Sequence, residues 1–250
     1  MKDYILVLDS GIGGLSVFGE CIKVFRGRYI YLSISKSMPI GNKSKKQIFG
    51  IVKTQIDNLL KRYKIKIVVI ACNTITTSVI GLLRKSFHEI FFIGTEPCLK
   101  LVKDKGYKRA LVVSTVATKR HSEVIKRYRQ KSDYVVGDKR LAKTIETNKN
   151  NLYRVYPYIL KKYKKYVGKI DCVVLGCTHY SFVKNIFEDV LKVKCYDSGV
   201  YVAKRLKEIA NRLHVDEVLD INFCDNGGKD DIFRYFCQNS LIYDAKYVKI

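Results

Sequence analysis

The sequence shows neither long apolar runs nor a secretory leader, so we expect neither a membrane-spanning nor an exported protein. No stretch of the 250 residues approaches the ~20 consecutive apolar residues that a membrane-spanning helix requires. The first apolar stretch lies between Asp3 and Asp9 and is too short for the core of a signal peptide. We therefore expect a cytoplasmic protein without a membrane partner.

Paired cysteines are also missing. The chain has 8 cysteines, but no two of them stand at C-x-x-C spacing. Without that spacing and without a leader, neither a disulfide framework nor a metal site is expected. Most of the others besides Cys72 and Cys177 are expected to be small buried hydrophobic residues. These are Cys21, Cys98, Cys172, Cys195, Cys224 and Cys237.

Acidic residues are few, and the excess of basic residues makes nucleic acid a binding partner to consider. The chain has 47 Lys+Arg against 23 Asp+Glu, a net charge of +24, which is typical of proteins with polyanionic partners. The basic residues are scattered, however, and the densest cluster, KKYKK at 161–165, is explained by a solvated helix face. No RRM, KH, zinc-finger or helix-turn-helix signature accompanies the charge. We do not expect nucleic acid as a partner, although a non-catalytic basic protein remains an alternative.

Short apolar runs rich in β-formers alternate with amphipathic helical patterns along the whole chain. Alternation of this kind predicts an α/β fold of mostly parallel sheets with helices on both faces. Strands are predicted at 4–8, 29–33, 67–71, 90–94, 110–114, 133–136, 171–175, 193–197, 219–224 and 243–249. Helices are predicted at 15–25, 44–63, 76–87, 118–128, 151–166 and 182–191.

Ten strands exceed what one compact sheet usually holds, so two similar lobes are predicted. We expect a discontinuous first lobe of residues 1–93 and 200–250 and a second lobe of residues 94–199. ILVLDSG at 5–11 is matched by KCYDSG at 194–199, which gives each lobe one Asp-Ser-Gly element. An active site in a cleft between the lobes is the corresponding expectation.

Two strand-end cysteines stand in matched surroundings, VVIACNTITT at 68–77 and VVLGCTHYSF at 173–182. Ligands of parallel sheets gather outside the carboxyl ends of the strands, where helix N-termini favour a carboxylate and an ionised thiol. Cys72 and Cys177 could therefore act on opposite faces of one carbon atom. One thiolate would remove a proton and the other thiol would deliver one, which inverts a stereocentre without any cofactor.

Other interpretations of these residues are open. Cys177 beside His179 could serve nucleophilic acyl chemistry, although that leaves the matched Cys72 unexplained. GIGG at 11–14 follows a strand, but it is not G-x-G-x-x-G and no acidic residue closes a second strand at the expected distance. A dinucleotide site therefore receives little support.

Five motifs in order carry a resemblance to a known family. They are LDSGIGGLSV (8–17), MPIGNKS (38–44), IACNT (70–74), S-T-x-x-T (114–118) and LGCTHY (175–180). Together they resemble glutamate racemases, members of the cofactor-independent aspartate/glutamate racemase superfamily. The resemblance implies a two-domain α/β protein that interconverts L- and D-glutamate, an amino-acid substrate, and supplies D-glutamate for peptidoglycan. It also implies no pyridoxal phosphate, metal or nucleotide, and a homodimer as the possible assembly.

The same resemblance assigns residue roles. Cys72 and Cys177 would be the acid/base thiols, with Asp9 assisting Cys72, and with His179 and Glu146 assisting Cys177. The substrate would be held by the following residues: Asp9, Ser10, Ile40, Gly41, Asn73, Thr74, Thr115, Thr118, Thr178 and His179.

The sequence departs from the family at one stretch in particular. Similar proteins read Y-F-G-D before a P-Y-G motif, whereas this chain reads YLSISKSMPIG, so the aspartate is missing and Ile40 replaces the tyrosine. The G-V-[IV]-[EP]-P motif is shortened to GTEP at 94–97. Both thiols are kept, so an active racemase is expected, and an aspartate racemase is the alternative within the same chemistry.

Overall fold

The computed structural model describes residues 2–226, 230–239 and 245–248. The chain divides into two compact units, a first unit of Met1–Thr95 with Gly199–Ile250 and a second unit of Glu96–Ser198. Each unit contains one sheet whose described strand pairs are all parallel. The predicted α/β class with mostly parallel sheets is confirmed.

The first unit holds a six-stranded sheet in the order β10-β9-β2-β1-β3-β4. Its strands are β1 (Asp3–Asp9), β2 (Arg28–Ser33), β3 (Lys64–Ile70), β4 (Phe91–Gly94), β9 (Asp220–Asp225) and β10 (Ala245–Tyr247). Its helices are α1 (Leu15–Val24), α2 (Lys45–Leu60), α3 (Asn73–Ser86), α10 (Gly199–Arg212) and α11 (Asp231–Asn239), with 3₁₀ turns at Ser35–Ser37 and Ile40–Asn42.

The second unit holds a four-stranded sheet in the order β6-β5-β7-β8. Its strands are β5 (Ala110–Thr115), β6 (Tyr134–Asp138), β7 (Cys172–Gly176) and β8 (Cys195–Tyr196). Its helices are α4 (Leu99–Asp104), α5 (Val116–His121), α6 (Glu123–Tyr128), α7 (Leu141–Thr147), α8 (Tyr156–Tyr163) and α9 (Lys184–Leu191), with 3₁₀ turns at Leu152–Val155, Lys164–Tyr166 and Thr178–Val183.

Strand periodicity sorts the core of the first unit onto two faces. Successive strand side chains point to opposite sides, so Leu6 and Leu8 enter one apolar cluster beneath α2 and α3. On the other side Phe18 packs against Tyr29 and Tyr31, with ring centroids 5.4 Å and 5.5 Å away. Burial of each such side chain contributes about 1.5–3 kcal/mol, which fixes the register of the strands.

The second unit repeats this arrangement on a smaller scale. Leu111 and Val113 of β5 join a cluster with α7, α8 and α9. Ala110 and Val112, the alternate residues of the same strand, pack with α4 and α6. Because helices cover both faces, the strands are almost continuously apolar rather than alternating with polar residues.

Predicted strands are found throughout, and some predicted helices are subdivided. The helix expected over 118–128 is two short helices separated by Ser122, whose hydroxyl caps α6 by accepting from the Ile125 N–H at 3.2 Å. In place of the single helix predicted over 151–166, the structure has the shorter helix α8 with a 3₁₀ turn on each side. Residues 243, 244 and 249 of the last predicted strand lie outside the described residues.

Two expectations about solvated residues and cysteines were wrong in part. KKYKK at 161–165 is not a uniformly solvated face, because Tyr163 is fully buried and the Lys162 ammonium pairs with Asp138. Among the cysteines, Cys237 is exposed and Cys98 is half-buried. Cys21, Cys172, Cys195 and Cys224 are buried as predicted.

No helix within the described part of the chain combines the length and the apolar character needed to cross a membrane.

Candidate active site

The carboxyl ends of two neighbouring strands carry the polar groups of the first unit. Asp9 is the last residue of β1, and Cys72 follows β3 as the residue directly before α3. Strands β1 and β3 are adjacent and parallel, so their ends meet at one edge of the sheet, where parallel sheets bind ligands. Both residues are buried, with Asp9 at 0% and Cys72 at 6% exposure.

Ser10 touches the first thiol. Its Oγ lies 3.6 Å from Cys72 Sγ in a buried contact in which either atom can donate. The Asp9 carboxylate is held separately, because its Oδ1 accepts a 2.8 Å hydrogen bond from the Gly11 N–H. Sequence reasoning assigns Ser10 to substrate binding only, so its contact with the thiol is new. Assistance of Cys72 by Asp9 stays a prediction.

Asn73 and Thr95 place two buried oxygens near the start of α3. The Asn73 amide Nδ2 donates to the Thr95 carbonyl at 2.9 Å, and the Thr95 N–H donates to Thr76 Oγ1 at 3.0 Å. Within the described residues, Asn73 Oδ1 and Thr95 Oγ1 have no hydrogen-bond partner. Buried polar atoms are rarely left unpaired, so these oxygens suit the donors of a ligand. Thr95 was missed from the sequence because a lone threonine after a strand carries no signal.

Ile40, Gly41 and Thr74 occupy different environments in the first unit. The side chain of Ile40 is 5% exposed and belongs to the apolar core. Gly41, beside it in the 3₁₀ turn, is exposed, and Thr74 in the first turn of α3 is buried. Core packing explains why isoleucine is accommodated at position 40.

Gly14 keeps the Asp9 side chain in place, and substitution there has a predictable cost. A Cβ at Gly14, the residue before α1, would overlap Asp9 Cβ and lie 2.7 Å from Tyr31 Oη, whereas a Cβ at Gly19 inside α1 would meet nothing within 4 Å. We expect Gly14→Ala to lower the free energy of unfolding by about 1–3 kcal/mol through overpacking. Gly19→Ala should instead raise it, by up to about 1 kcal/mol. Urea denaturation of both variants measures the difference, and equal stabilities would contradict the close packing.

The second unit brings three predicted residues, two buried and one half-buried, into one chain of contacts. Cys177 follows β7 directly, and His179 lies in the 3₁₀ turn after it. His179 Nδ1 is 4.0 Å from Cys177 Sγ, and His179 Nε2 is 2.6 Å from Glu146 Oε2 on α7. Cys177 and His179 are 6% and 3% exposed. The arrangement orients the imidazole between a thiol and a carboxylate.

The electrostatics of this group favour a cationic imidazole. Burial alone would lower the pKa of His179, but its hydrogen bonds to Cys177 and Glu146 outweigh burial and hold that pKa well above the usual range. A cationic imidazole beside a thiol stabilises the thiolate, the form that removes protons. Burial, followed by the nearby Cys177 and Asp138, also raises the pKa of Tyr180 well above its ordinary value, so that phenol stays protonated.

Thr115, Thr118 and Thr178 lie at strand ends of the second unit. Thr115 ends β5 and caps α5, since its Oγ1 accepts from the Thr118 N–H at 3.1 Å. The hydroxyls of these two residues are 2.9 Å apart, and Thr118 is fully buried. Thr178 is 4% exposed and lies between Cys177 and His179. Thr118 lies within α5 and holds the Thr115 hydroxyl in place through these two hydrogen bonds.

Five of the other thiols, which are buried or half-buried, are poor candidates for chemistry. Burial raises the pKa of Cys98, Cys172 and Cys224 to about 12. It raises the pKa of Cys21 and Cys195 still further. Thiols of this kind remain protonated and unreactive at neutral pH. Over the described residues, no group of three or more His, Cys, Asp or Glu side chains is placed to hold a metal ion.

Comparisons with known proteins place these features in a family. Residues 37–206 match the model of the Asp/Glu/hydantoin racemase family. The chain is 34% identical, over an alignment of 260 positions, to a glutamate racemase of Clostridium novyi, with 97% of this chain and 93% of that protein covered.

Solved structures resemble the fold at lower sequence identity. A glutamate racemase from Thermus thermophilus, in complex with β-chloro-D-alanine, aligns with a TM-score of 0.83 at 19% identity, covering 100% of this chain and 98% of that one. One from Francisella tularensis, in complex with D-glutamate, aligns with a TM-score of 0.82 at 20% identity, covering 100% and 97%. At these identities the structural likeness establishes the fold.

Proposed function

The chain belongs to the Asp/Glu/hydantoin racemase family, and on that basis we propose that it interconverts L- and D-glutamate by two-thiol proton transfer. The resemblance stated from the sequence motifs is thereby confirmed at the level of the family. The observation that carries the mechanism is a pair of buried thiols outside any disulfide, each at the carboxyl end of a parallel strand and each beside a polar partner.

The proposed reaction moves one proton off the α-carbon and another onto its opposite face. In one direction the sulfur of Cys72 or Cys177, as thiolate, takes the α-proton, and the other sulfur, as thiol, gives its proton to the carbanion. The α-proton of an amino acid is very weakly acidic, so the carbanion needs donors around the α-carboxylate in a site closed to water. The imidazolium of His179, oriented by Glu146, stabilises the negative charge on the Cys177 side.

The substrate's charged groups are assigned to strand-end side chains. Carboxylates suit the hydroxyls and N–H groups at the starts of α3 and α5, where helix N-termini favour negative charge. The ammonium suits the unpaired Asn73 Oδ1 and the Asp9 carboxylate. Ser10, Thr74, Thr115 and Thr178 supply the remaining hydroxyls. No step of this scheme requires a cofactor.

The use of the product, the cellular location of the enzyme and its assembly are part of the same proposal. D-glutamate would supply peptidoglycan synthesis in the cytoplasm, and a homodimer is the proposed assembly. These points follow from the motif resemblance.

The first experiment incubates the dialysed protein with each enantiomer of glutamate in D₂O, without added cofactor. Circular dichroism should show loss of optical activity from either enantiomer, while proton NMR shows deuterium entering at the α-carbon. Because one missing methylene changes specificity by roughly 10–200-fold, we expect kcat/KM for aspartate to be lower by about that factor. Cys237→Ala, which removes an exposed thiol, should leave both rates unchanged.

The other outcomes identify the alternatives. Faster racemisation of aspartate than of glutamate would identify the altered-substrate relative suggested by Ile40 and the missing aspartate. Absence of racemisation and of deuterium exchange with both amino acids would contradict the enzyme assignment and favour a non-catalytic basic protein.

A further inference from the structure

A basic pocket lies at the carboxyl end of β6 in the second unit. Its volume is about 710 Å³, within the range of roughly 300–1,000 Å³ typical of small-molecule sites. None of its lining residues is among those assigned to racemisation. The lining residues are Gly137, Asp138, Lys139, Arg140, Tyr158, Lys161, Lys162 and Lys165.

The one acidic group of the basic pocket is already neutralised. Asp138 is 3% exposed, and its Oδ2 lies 2.7 Å from Lys162 Nζ and accepts from the Tyr163 hydroxyl at 2.5 Å. Tyr158 donates to Oδ1 at 2.8 Å. Burial would raise the pKa of Asp138, but the hydrogen bonds from Lys162 and Tyr163 lower it, so the carboxylate is ionised. Its charge cancels that of Lys162 and fixes one wall of the pocket.

Four further cations are left around the cavity. Lys139, Arg140, Lys161 and Lys165 are all exposed, and none forms an ion pair with a carboxylate among the residues that the structure describes. Like charges gathered in a concave, partly desolvated site repel one another and concentrate counter-ions. The pocket therefore holds an excess of four positive charges, five cations minus the carboxylate of Asp138.

The recognising groups are side chains rather than backbone. Asp138 Oδ1 accepts from the N–H groups of Arg140 and Leu141 at 2.9 Å and 3.0 Å, so the start of α7 is already capped. Lysine ammonium groups bind phosphate as point charges, and an arginine guanidinium binds two phosphate oxygens at once. A dicarboxylate such as glutamate carries too little charge to match four cations, whereas a chain of two or three phosphates matches them.

We propose that the basic pocket is a binding site for a small polyanion of the oligophosphate class. The site is distinct from the thiols of the proposed racemisation, and its occupancy is measurable without any assay of that reaction. The limited volume and the fixed Lys162–Asp138–Tyr158 wall favour a compact ligand over an extended polymer.

The test uses inorganic tripolyphosphate as the probe. Isothermal titration calorimetry of the full chain in about 150 mM salt, where exposed charges are largely screened, should show one site. Lys161→Gln with Lys165→Gln removes two lining cations and should weaken binding at least tenfold. The control, Lys164→Gln with Lys169→Gln, removes two exposed charges that do not line the pocket and should change affinity less than twofold. Circular dichroism checks that both double variants are folded.

Three results would overturn the proposal. One is absence of tripolyphosphate binding by the wild type at this salt concentration. Another is equal loss in the two double variants, which would reveal general attraction to a basic surface. The third is tighter binding of a single-stranded oligonucleotide than of tripolyphosphate with the same dependence on Lys161 and Lys165, which would assign the surface to nucleic acid.

Discussion

Cys72→Ala and Cys177→Ala are each expected to reduce racemisation of both glutamate enantiomers by about a thousandfold, within the range of a lost acid/base group. Each variant should nevertheless exchange the α-hydrogen of one enantiomer slowly with D₂O. The remaining thiol can still remove a proton from the face it meets and return a deuteron to that same face. The two variants should therefore keep opposite enantiomers as exchange substrates. Proton NMR of each variant with each pure enantiomer measures this.

The pattern of exchange distinguishes a mechanism in which both thiols transfer protons from one in which a single thiol does so. If both variants exchanged the same enantiomer, one sulfur would be performing the chemistry alone. Full racemisation by either variant would remove that cysteine from the mechanism. Cys237→Ala serves as the matched control, because it deletes an exposed thiol outside the strand ends.

Glu146→Gln is expected to move the alkaline limb of the pH profile to lower pH. Burial disfavours the charged form of His179, and the hydrogen bonds to Cys177 and Glu146 hold its pKa well above the usual value. Removing the Glu146 charge lowers that pKa, so the imidazolium is lost at lower pH as pH rises. If the imidazolium supports Cys177, kcat/KM should begin to decline at a lower pH than in the wild type.

His179→Asn completes this test. It should lower kcat by about a hundredfold and abolish the pH limb that Glu146→Gln displaces. Glu123→Gln, which removes a carboxylate whose side chain is 75% exposed in the same unit, should leave the profile in place. An unchanged profile in Glu146→Gln would show that Glu146 only packs against His179. NMR titration of the histidines gives the His179 pKa directly, with His179→Asn supplying its assignment.

Local periodicity and turn chemistry account for the parts of the fold that could be predicted. The strands around Leu6, Val68, Val112 and Val174 are apolar on both faces, as parallel strands between two helical layers must be. The start of α2 is likewise a local signal, because Ser44 and Gln47 form a reciprocal capping box. The sequence predicts one helix over 118–128 and not the interruption at Ser122. The Ser122 hydroxyl caps the start of α6 only in the folded chain, whereas the local pattern is equally that of a continuous helix.

Residue spacing alone gave no contact within either half of the site, and only the family resemblance grouped Glu146 and His179 with Cys177. Glu146 and His179 are 33 positions apart, and Ser10 and Cys72 are 62 apart. Sequence spacing carries no distance information across such separations, and only the parallel ordering of the strands brings these pairs together. The same holds for the basic pocket, where Asp138 recruits Tyr158, Lys162 and Tyr163 from α8.

The sequence by itself determined the layered α/β class, the family and the identity of the two strand-end thiols, because apolar periodicity and short motifs are local properties. The tertiary structure alone decided that Ser10 touches Cys72, that Ile40 belongs to the core, and that Lys162 of KKYKK pairs with Asp138 at the wall of a pocket. These outcomes depend on how distant segments pack, where burial and the pairing of opposite charges select one arrangement from many that the local pattern allows.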